Sequence, residues 1–175
     1  MALLPIRIYP DPVLTLTAAP VTEFDADLET LIEDLAETMY VGEGIGLAAP
    51  QVGVSKRLLV MDVGELDPEG AQLRAFINPE IIDEAGTIIW EEGCLSFPGL
   101  TVEVERSDWI RVRALDAHGD GFEIAGEGLW AVCVQHEMDH LDGTTIVDRI
   151  SRLRRKMALN RWRKLRAELE PQPKL

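Results

Sequence analysis

The segment His-Glu-Met-Asp-His at residues 136–140 contains side chains that can bind a metal ion and move a proton. Successive residues of an α-helix are rotated by about 100°, so His136 and His140 lie one turn apart on nearly the same face. Both imidazoles can therefore reach one ion. Glu137 lies on the flank of that face, where it can act as a base towards water without binding the metal itself.

A third ligand is available upstream, because Cys94 lies within the segment Glu-Glu-Gly-Cys-Leu-Ser at residues 91–96. Three protein ligands leave the fourth position of a tetrahedral ion open, which distinguishes catalytic metal sites from structural ones. The residue types alone favour zinc, although iron, cobalt and nickel also accept a set of one thiolate and two imidazoles. The sequence therefore predicts a hydrolytic metal site.

The hydrophobic periodicity predicts the elements that must position these side chains. A buried helix over residues 128–141 carries the histidines, and further helices are expected over 27–40 and 150–169. Asp25 or Asp27 is expected to cap the first helix. Short strands are predicted over 57–63, 74–82, 87–90, 101–106, 109–116 and 121–125. We therefore predict an α+β fold in which mostly antiparallel β-sheets surround a central metal-binding helix, with an N-terminal helix and an amphipathic C-terminal helix.

A glycine-rich loop is predicted over residues 42–53, before the first strand. It lacks the Gly-Lys-Ser/Thr ending of a phosphate-binding loop, so we exclude that function. Its glycines can instead bring the backbone close to an extended peptide.

Three segments, taken in order, resemble the motifs of the bacterial peptide deformylases. They are Gly44-Ile-Gly-Leu-Ala-Ala-Pro-Gln51, Glu92-Gly-Cys-Leu-Ser96 and Gln135-His-Glu-Met-Asp-His140. The similarity covers roughly residues 5–150 and includes Ile8–Leu14 and Phe76–Pro79. A single His-Glu-x-x-His motif is only moderately specific, whereas three ordered motifs with suitable spacing are hard to obtain by chance.

The resemblance implies an enzyme that removes the formyl group from the N-terminal formylmethionine of nascent polypeptides and releases formate. It implies three ligands for one ferrous ion, with zinc, nickel and cobalt as alternatives: Cys94, His136 and His140. Glu137 is implied as the acid/base. The side chain of Gln51 and the backbone N–H of Leu95 are implied as donors to the oxyanion.

The ligand-bearing face of the central helix predicts a pocket for an unbranched methionine side chain. Leu129, Val132 and Cys133 lie on this face when the helix is projected along its axis. Together with Ile45 and Gly46 of the glycine-rich loop, they are expected to bind the substrate. The alternative for Cys133 is a small buried residue with no contact to the substrate.

The composition favours one globular domain in a reducing compartment. The chain has 175 residues, 46% of them hydrophobic, and only two cysteines. We expect residues 1–150 to form the catalytic domain and residues 151–175 to form a basic helix and tail of the same domain. No apolar run is long enough to span a membrane, and the first residues predict neither a secretory signal nor a transit peptide. A cytoplasmic location is therefore expected.

The net charge of −14 is unevenly distributed. Residues 149–175 hold ten of the 17 Lys and Arg residues but only two of the 31 Asp and Glu residues. The acidic body argues against DNA binding, whereas the resemblance suggests that the basic helix contacts the ribosome. The alternative is that this helix simply packs on the acidic body. Its predicted apolar stripe consists of Leu153, Met157, Trp162, Leu165 and Leu169, and Pro171 and Pro173 are expected to end it.

Other interpretations remain open at the level of sequence. His136 and His140 can be hydrogen-bonded core histidines, Cys94 and Cys133 can form a disulfide, and Gln51 can serve only to satisfy loop backbone groups. The His-Glu-x-x-His motif alone also fits a zinc-dependent peptidase. A second class of protein is an inactive relative that only binds a metal or the ribosome.

Four residues around the motifs carry more limited predictions. Glu92 and Arg106 are predicted to form a pair that supports a ligand histidine. Asp139 is expected to be structural. Thr101 stands where some deformylases place an arginine that touches the substrate, and a threonine cannot supply that charge.

Overall fold

The computed structural model describes residues 2–169, which form three α-helices and seven β-strands. The helices are α1 (Ala26–Val41), α2 (Leu129–Leu141) and α3 (Arg152–Leu169). The strands are β1 (Gly46–Ala48), β2 (Leu58–Met61), β3 (Arg74–Ala85), β4 (Ile88–Gly93), β5 (Thr101–Arg106), β6 (Trp109–Leu115) and β7 (Gly121–Glu127). The predicted α+β fold is confirmed. None of the described helices is long and apolar enough to cross a membrane.

Five strands form one antiparallel sheet in the order β1-β2-β3-β6-β7, while β4 and β5 form a separate two-stranded ribbon. Strand β2 is apolar on both faces. Its Leu59 and Met61 join the hydrophobic cluster that contains α2, whereas Leu58 and Val60 join the cluster that contains α1. Since side chains alternate along a strand, α1 and α2 cover opposite faces of the sheet.

Helix α2 lies at the centre of the molecule, because every residue from Trp130 to Leu141 is buried. A helix without an exposed face has little freedom to move, since each side chain is enclosed by its neighbours. The metal motif of 136–140 therefore lies on the most enclosed helix of the structure.

Helix α1 begins at a capping aspartate. The side chain of Asp25 accepts a hydrogen bond from the backbone N–H of Leu28 at 3.0 Å. Asp25 rather than Asp27 is therefore the cap, and Asp27 in the first turn contributes favourable charge near the positive end of the helix dipole.

Two predicted boundaries differ from the structure in ways that matter for the site. The glycine-rich segment is more than a loop, because Leu47 and Ala48 pair with Val60 and Leu59 and so form edge strand β1. Strand β4 continues to Gly93, three residues beyond the predicted end at 90. As a result, β4 ends directly before Cys94 and fixes where that thiol lies.

The predicted apolar stripe of α3 is wrong for three of its five residues. Leu153, Met157 and Leu169 are 69%, 63% and 57% exposed, whereas Trp162 is only 2% exposed and Leu165 is partly buried. The predicted ends at Pro171 and Pro173 lie outside the described residues.

The orientation of α3 is set by Trp162 and Ala158, which pack into a third hydrophobic cluster with the β4–β5 ribbon. The Trp162 ring meets Phe97 edge-on with centroids 5.2 Å apart, and its Nε1–H donates to the backbone carbonyl of Tyr9 at 3.2 Å. Burial of one large aromatic side chain therefore decides which face of the helix turns inwards.

Candidate active site

Cys94 lies in a tight turn immediately after β4. The backbone N–H of Phe97 donates to the carbonyl of Cys94 at 2.9 Å, which places Leu95 and Ser96 at the two central positions of the turn. The carbonyl of Ser96 in turn accepts a hydrogen bond from the N–H of Tyr9 at 3.0 Å. The thiol is therefore carried by backbone that is fixed at several points.

Cys94, His136 and His140 converge on one point, with one ligand atom of each within 4.8 Å of the other two. The Sγ of Cys94 lies 3.3 Å from Nε2 of His140, and the two imidazole rings stand 5.2 Å apart between centroids. Both histidines are buried, and their one-turn spacing places them on the same face of α2. A thiolate with two imidazoles is a donor set that binds zinc, iron, cobalt or nickel, so these residues fit a divalent metal.

Glu92 and Arg106 form the predicted supporting pair. Arg106 donates to both carboxylate oxygens of Glu92, at 2.7 and 2.9 Å, and Glu92 Oε2 lies 2.8 Å from Nδ1 of His136. This contact orients the His136 ring and leaves its Nε2 for a ligand. Arg106 also donates to Asp139 at 2.6 Å, and Asp139 accepts further bonds from Arg149, so Asp139 has the structural contacts expected of it.

Burial and charged neighbours shift the pKa values of three groups in this cluster. Burial raises the pKa of Glu92, but hydrogen bonds from Arg106 and His136 lower it to about 2. Burial lowers the pKa of His136, yet hydrogen bonds to Cys94 and Glu92 raise it well above its ordinary value. The pKa of His140 is lowered by burial and then by the charges on His136 and Arg106, which favours the neutral, ligating imidazole.

Glu137 lies beside the ligands, and only one of its two carboxylate oxygens is known to lie near a charged partner. It is 5% exposed, its Oε1 is 4.0 Å from Nε2 of His136, and its Oε2 has no hydrogen-bond partner within residues 2–169. Burial, opposed by the charge on His136, raises the pKa of Glu137 to about 7. A carboxyl group with such a pKa can both accept and release a proton near neutral pH.

Gln51 reaches the same point from a short 3-10 helix, Ala49–Val52. Its Oε1 accepts the N–H of Ala48 at 2.9 Å, so the amide does satisfy one loop backbone group. Its Nε2 lies on the opposite side, 3.5 Å from Cys94 Sγ and 3.2 Å from Ser96 Oγ. The backbone contact therefore uses only the oxygen of this amide, while its Nε2–H groups donate to Ser96 and to the ligand cysteine.

The structure brings the predicted site residues around one cavity of about 510 Å³. The cavity is lined by Ile45, Gly46, Gln51, Leu129, Val132, Cys133, Cys94, Leu95, His136 and Glu137, together with Trp90 and Pro98. His140 does not line it and reaches the site through Nε2. Ile45 is 42% exposed and Val132 only 3%, so the apolar wall runs from the surface to the buried helix.

The thiol of Cys133 is a neutral part of this wall. Burial and the nearby charge of Glu137 raise its pKa, and its Sγ donates to the carbonyl of Ile45 at 3.6 Å. Cys94 and Cys133 are both free, so the alternative of a disulfide between them is wrong.

Sequence reasoning assigned no role to Ser96, although the residue is fully buried against Gln51. Ser96 belongs to the Cys94 motif, but its spacing from Cys94 does not indicate a contact with a residue 45 positions away. Only the tertiary fold brings these two side chains together.

Known proteins resemble this chain over nearly its whole length. The model of the polypeptide deformylase family matches residues 3–156. A peptide deformylase of Alkalilimnicola ehrlichii is 53% identical over 166 residues, which covers 94% of this chain and 92% of the relative. The crystal structure of a peptide deformylase from Legionella pneumophila superposes with a TM-score of 0.90 at 45% identity and covers 98% of this chain and 100% of that one. The structure of the Thermotoga maritima enzyme gives a TM-score of 0.81 at 49% identity, covering 86% and 99%. The chain belongs to the polypeptide deformylase family.

Proposed function

We propose that this protein removes the formyl group from the N-terminal formylmethionine of nascent polypeptides and releases formate. The observation that carries the proposal is the convergence of Cys94, His136 and His140 at the wall of an apolar cavity, beside a Glu137 carboxylate whose Oε2 has no hydrogen-bond partner within residues 2–169. Family membership and this geometry support the same chemistry.

The hydrolysis of a formamide needs an activated water, a stabilised oxyanion and a proton for the leaving amine. A divalent metal bound by the three ligands would polarise the formyl carbonyl and lower the pKa of water. Glu137 takes a proton from the attacking water and passes it to the leaving nitrogen, for which a pKa of about 7 is suitable. Gln51 Nε2–H and the Leu95 backbone N–H donate to the developing oxyanion.

We propose ferrous iron as the native metal, with zinc, nickel and cobalt as substitutes. The donor set admits all four ions, and only the likeness to bacterial deformylases favours iron. Anaerobic loading of the metal-free protein with each ion, followed by formate assays, tests this. Zinc-loaded protein that equals or exceeds the iron-loaded protein would contradict it.

The methionine side chain is proposed to enter the apolar part of the cavity, between Ile45 and the α2 residues Leu129, Val132 and Cys133. The backbone at Gly46 lies against the same cavity and can approach the substrate main chain. A Cys133→Phe protein that folds should show a raised KM for formyl-Met peptides, because the larger ring occupies that space. An unchanged KM would remove Cys133 from the pocket.

The direct test is an anaerobic assay with formyl-Met-Ala-Ser, in which formate and peptide fragments are both measured. Formate release with intact peptide bonds is expected. Cleavage of the peptide would favour the peptidase alternative, and the absence of both products from metal-loaded protein would favour an inactive relative.

A further proposal concerns α3, whose exposed surface carries Arg152, Lys156, Arg163, Lys164 and Arg166. This basic surface can bind ribosomal RNA. Truncation at residue 150 would remove the buried Trp162, so substitution of the first four of these residues by Gln is the sharper experiment. Weaker, less salt-dependent cosedimentation with ribosomes is expected, whereas unchanged binding would refute the contact.

We also propose that residues 1–150 form the catalytic domain, that residues 151–175 belong to the same domain as its basic helix and tail, and that the protein acts in the cytoplasm. Packing of Trp162 and Ala158 against the β4–β5 ribbon supports the view that the helix belongs to this domain. A single cooperative unfolding transition is expected, whereas separate transitions for the two segments would contradict it.

A further inference from the structure

We propose that Ser96 is a positioning residue that aims the side-chain amide of Gln51 at the reacting carbonyl. The inference rests on the proposed function, in which Gln51 donates to the oxyanion. The supporting geometry is the contact of 3.2 Å between Gln51 Nε2 and Ser96 Oγ, within a region where Gln51 is 1% exposed and Ser96 is not exposed at all.

The torsion that orients a glutamine amide is broad, so the amide plane must be held from outside. Two contacts hold it here, on opposite sides of the group. The N–H of Ala48 donates to Oε1 at 2.9 Å and decides which end carries the nitrogen, and Ser96 Oγ then accepts one of the two Nε2 protons. The second proton is donated to Cys94 Sγ at 3.5 Å, so it points towards the ligand cysteine.

The hydroxyl of Ser96 can hold the amide in place because the backbones of Ser96 and Gln51 are both hydrogen-bonded to the same N-terminal segment. The N–H of Arg7 donates to the carbonyl of Gln51 at 2.7 Å, and the N–H of Tyr9 donates to the carbonyl of Ser96 at 3.0 Å. The turn bond from Phe97 to Cys94 restricts Ser96 further. The hydroxyl therefore acts on the amide from a position that the N-terminal segment sets.

A double-mutant cycle isolates this role. Ser96→Ala should lower kcat for formyl-Met-Ala-Ser by roughly 3- to 10-fold, the factor that corresponds to one neutral hydrogen bond, with KM and bound metal unchanged. Gln51→Ala should cost roughly 100- to 1000-fold. If Ser96 acts through Gln51, then Ser96→Ala causes no further loss in the Gln51→Ala background.

Thr145→Ala is the matched control, because Thr145 is 1% exposed and its hydroxyl donates to Asp148 away from the cavity. It should lower the melting temperature but leave kcat unchanged. Equal losses from Ser96→Ala in both backgrounds, or no loss in the wild-type background, would overturn the proposal. A Gln51→Ala protein with full kcat would instead refute the proposed role of Gln51 itself.

A second measurement avoids any change at Ser96. In a nitrogen-15 spectrum of zinc-loaded wild-type protein, the Gln51 side-chain amide is assigned by its absence from Gln51→Ala. At least one of its Nε2 protons should exchange slowly with water, because it is held by a buried hydroxyl. Rapid exchange of both protons would overturn the proposal even if the Ser96→Ala protein did not fold.

Discussion

Gly46 lies so close to Glu137 that a side chain at position 46 would displace the carboxylate. A Cβ built on Gly46 would stand 2.6 Å from Oε1 of Glu137 and 2.8 Å from its Cγ. Gly46 does not adopt a left-handed backbone conformation, so this glycine is required for space rather than for backbone freedom. The first residue of β1 therefore contributes to where the acid/base of α2 can point.

Gly46→Ala should therefore lower kcat by roughly 100-fold, the typical cost of misplacing a reacting group by about 1 Å. Bound metal should remain unchanged, since the three atoms nearest to the added Cβ all belong to Glu137 and none to a metal ligand. Steady-state formate release together with metal analysis measures both quantities. Gly121→Ala is the control, because its nearest neighbour, Leu115, would lie at an ordinary 3.9 Å. A fully active Gly46→Ala protein would show that the carboxylate position is not critical.

Glu137→Gln should retain the metal but lose roughly 100- to 10,000-fold in kcat, because an amide of the same shape cannot accept and return a proton. The loss is to be measured as formate release by protein of verified metal content. An unaffected rate would reject Glu137 as the base, whereas loss of the metal would assign the residue to the ligands.

Glu92→Gln should weaken metal binding by roughly 10- to 100-fold, which is typical when the partner of a ligand histidine is changed. The substitution also removes the charge that pairs with buried Arg106, so the melting temperature should fall. Competition with a chelator measures the affinity. Glu91→Gln, one residue earlier and exposed, should change neither value. Equal affinities for Glu92→Gln and wild type would mean that His136 is oriented without Glu92.

Asp67→Asn should destabilise the protein at neutral pH but hardly at all in acid. Burial raises the pKa of Asp67, but hydrogen bonds from Arg74 at 2.6 and 2.8 Å lower it below its ordinary value. A lowered folded-state pKa means that the ionised carboxylate stabilises the fold above the unfolded pKa of about 3.9, and that this contribution disappears as the pH falls through the folded value.

The free energy of unfolding of Asp67→Asn should therefore approach that of wild type below about pH 3.9, as urea titrations at several pH values would reveal. The exposed pair Arg113–Glu123 offers a comparison, since Glu123→Gln should cost at most about 1 kcal/mol at any pH. A difference for Asp67→Asn that stays constant from pH 7 to pH 3 would contradict the assigned charge pair.

Trp162→Ala should cost about 3–5 kcal/mol in the free energy of unfolding, because it empties a buried site in the cluster beneath α3. Met157→Ala on the same helix should stay within about 0.5 kcal/mol, because Met157 is 63% exposed. Urea unfolding of the two variants compares them directly. Similar losses in the two variants would mean that Met157 packs against the rest of the protein as Trp162 does, as the predicted apolar stripe implied.

The histidine pair of the site could be predicted from sequence because its geometry is local. The spacing of His136 and His140 on one helix determines their common face, and the apolar residues around them predict a buried α2. The role of Cys94 as the third ligand could be predicted from chemistry and from the resemblance, since a hydrolytic metal needs a third ligand and an open position.

The orientation of α3 could not be predicted in the same way. At about 100° per residue, Leu153 and Met157 lie roughly 180° and 140° from Trp162, so apolar residues occur on both sides of the helix and periodicity does not say which side turns inwards. Contacts of Trp162 with Phe97 and Tyr9 decide it, and both partners lie far away in the chain. The contact between Gln51 and Ser96 is equally non-local, which explains why the sequence did not indicate a role for Ser96.

The most direct test of the metal site is X-ray absorption spectroscopy of the zinc-loaded protein, prepared under reducing conditions. One sulfur scatterer at about 2.3 Å and two imidazole nitrogens at about 2.0–2.1 Å are expected, with the sulfur absent from Cys94→Ser. A wild-type spectrum without a sulfur neighbour, or an unchanged spectrum for Cys94→Ser, would contradict the assignment of Cys94, His136 and His140 as the ligands of one ion.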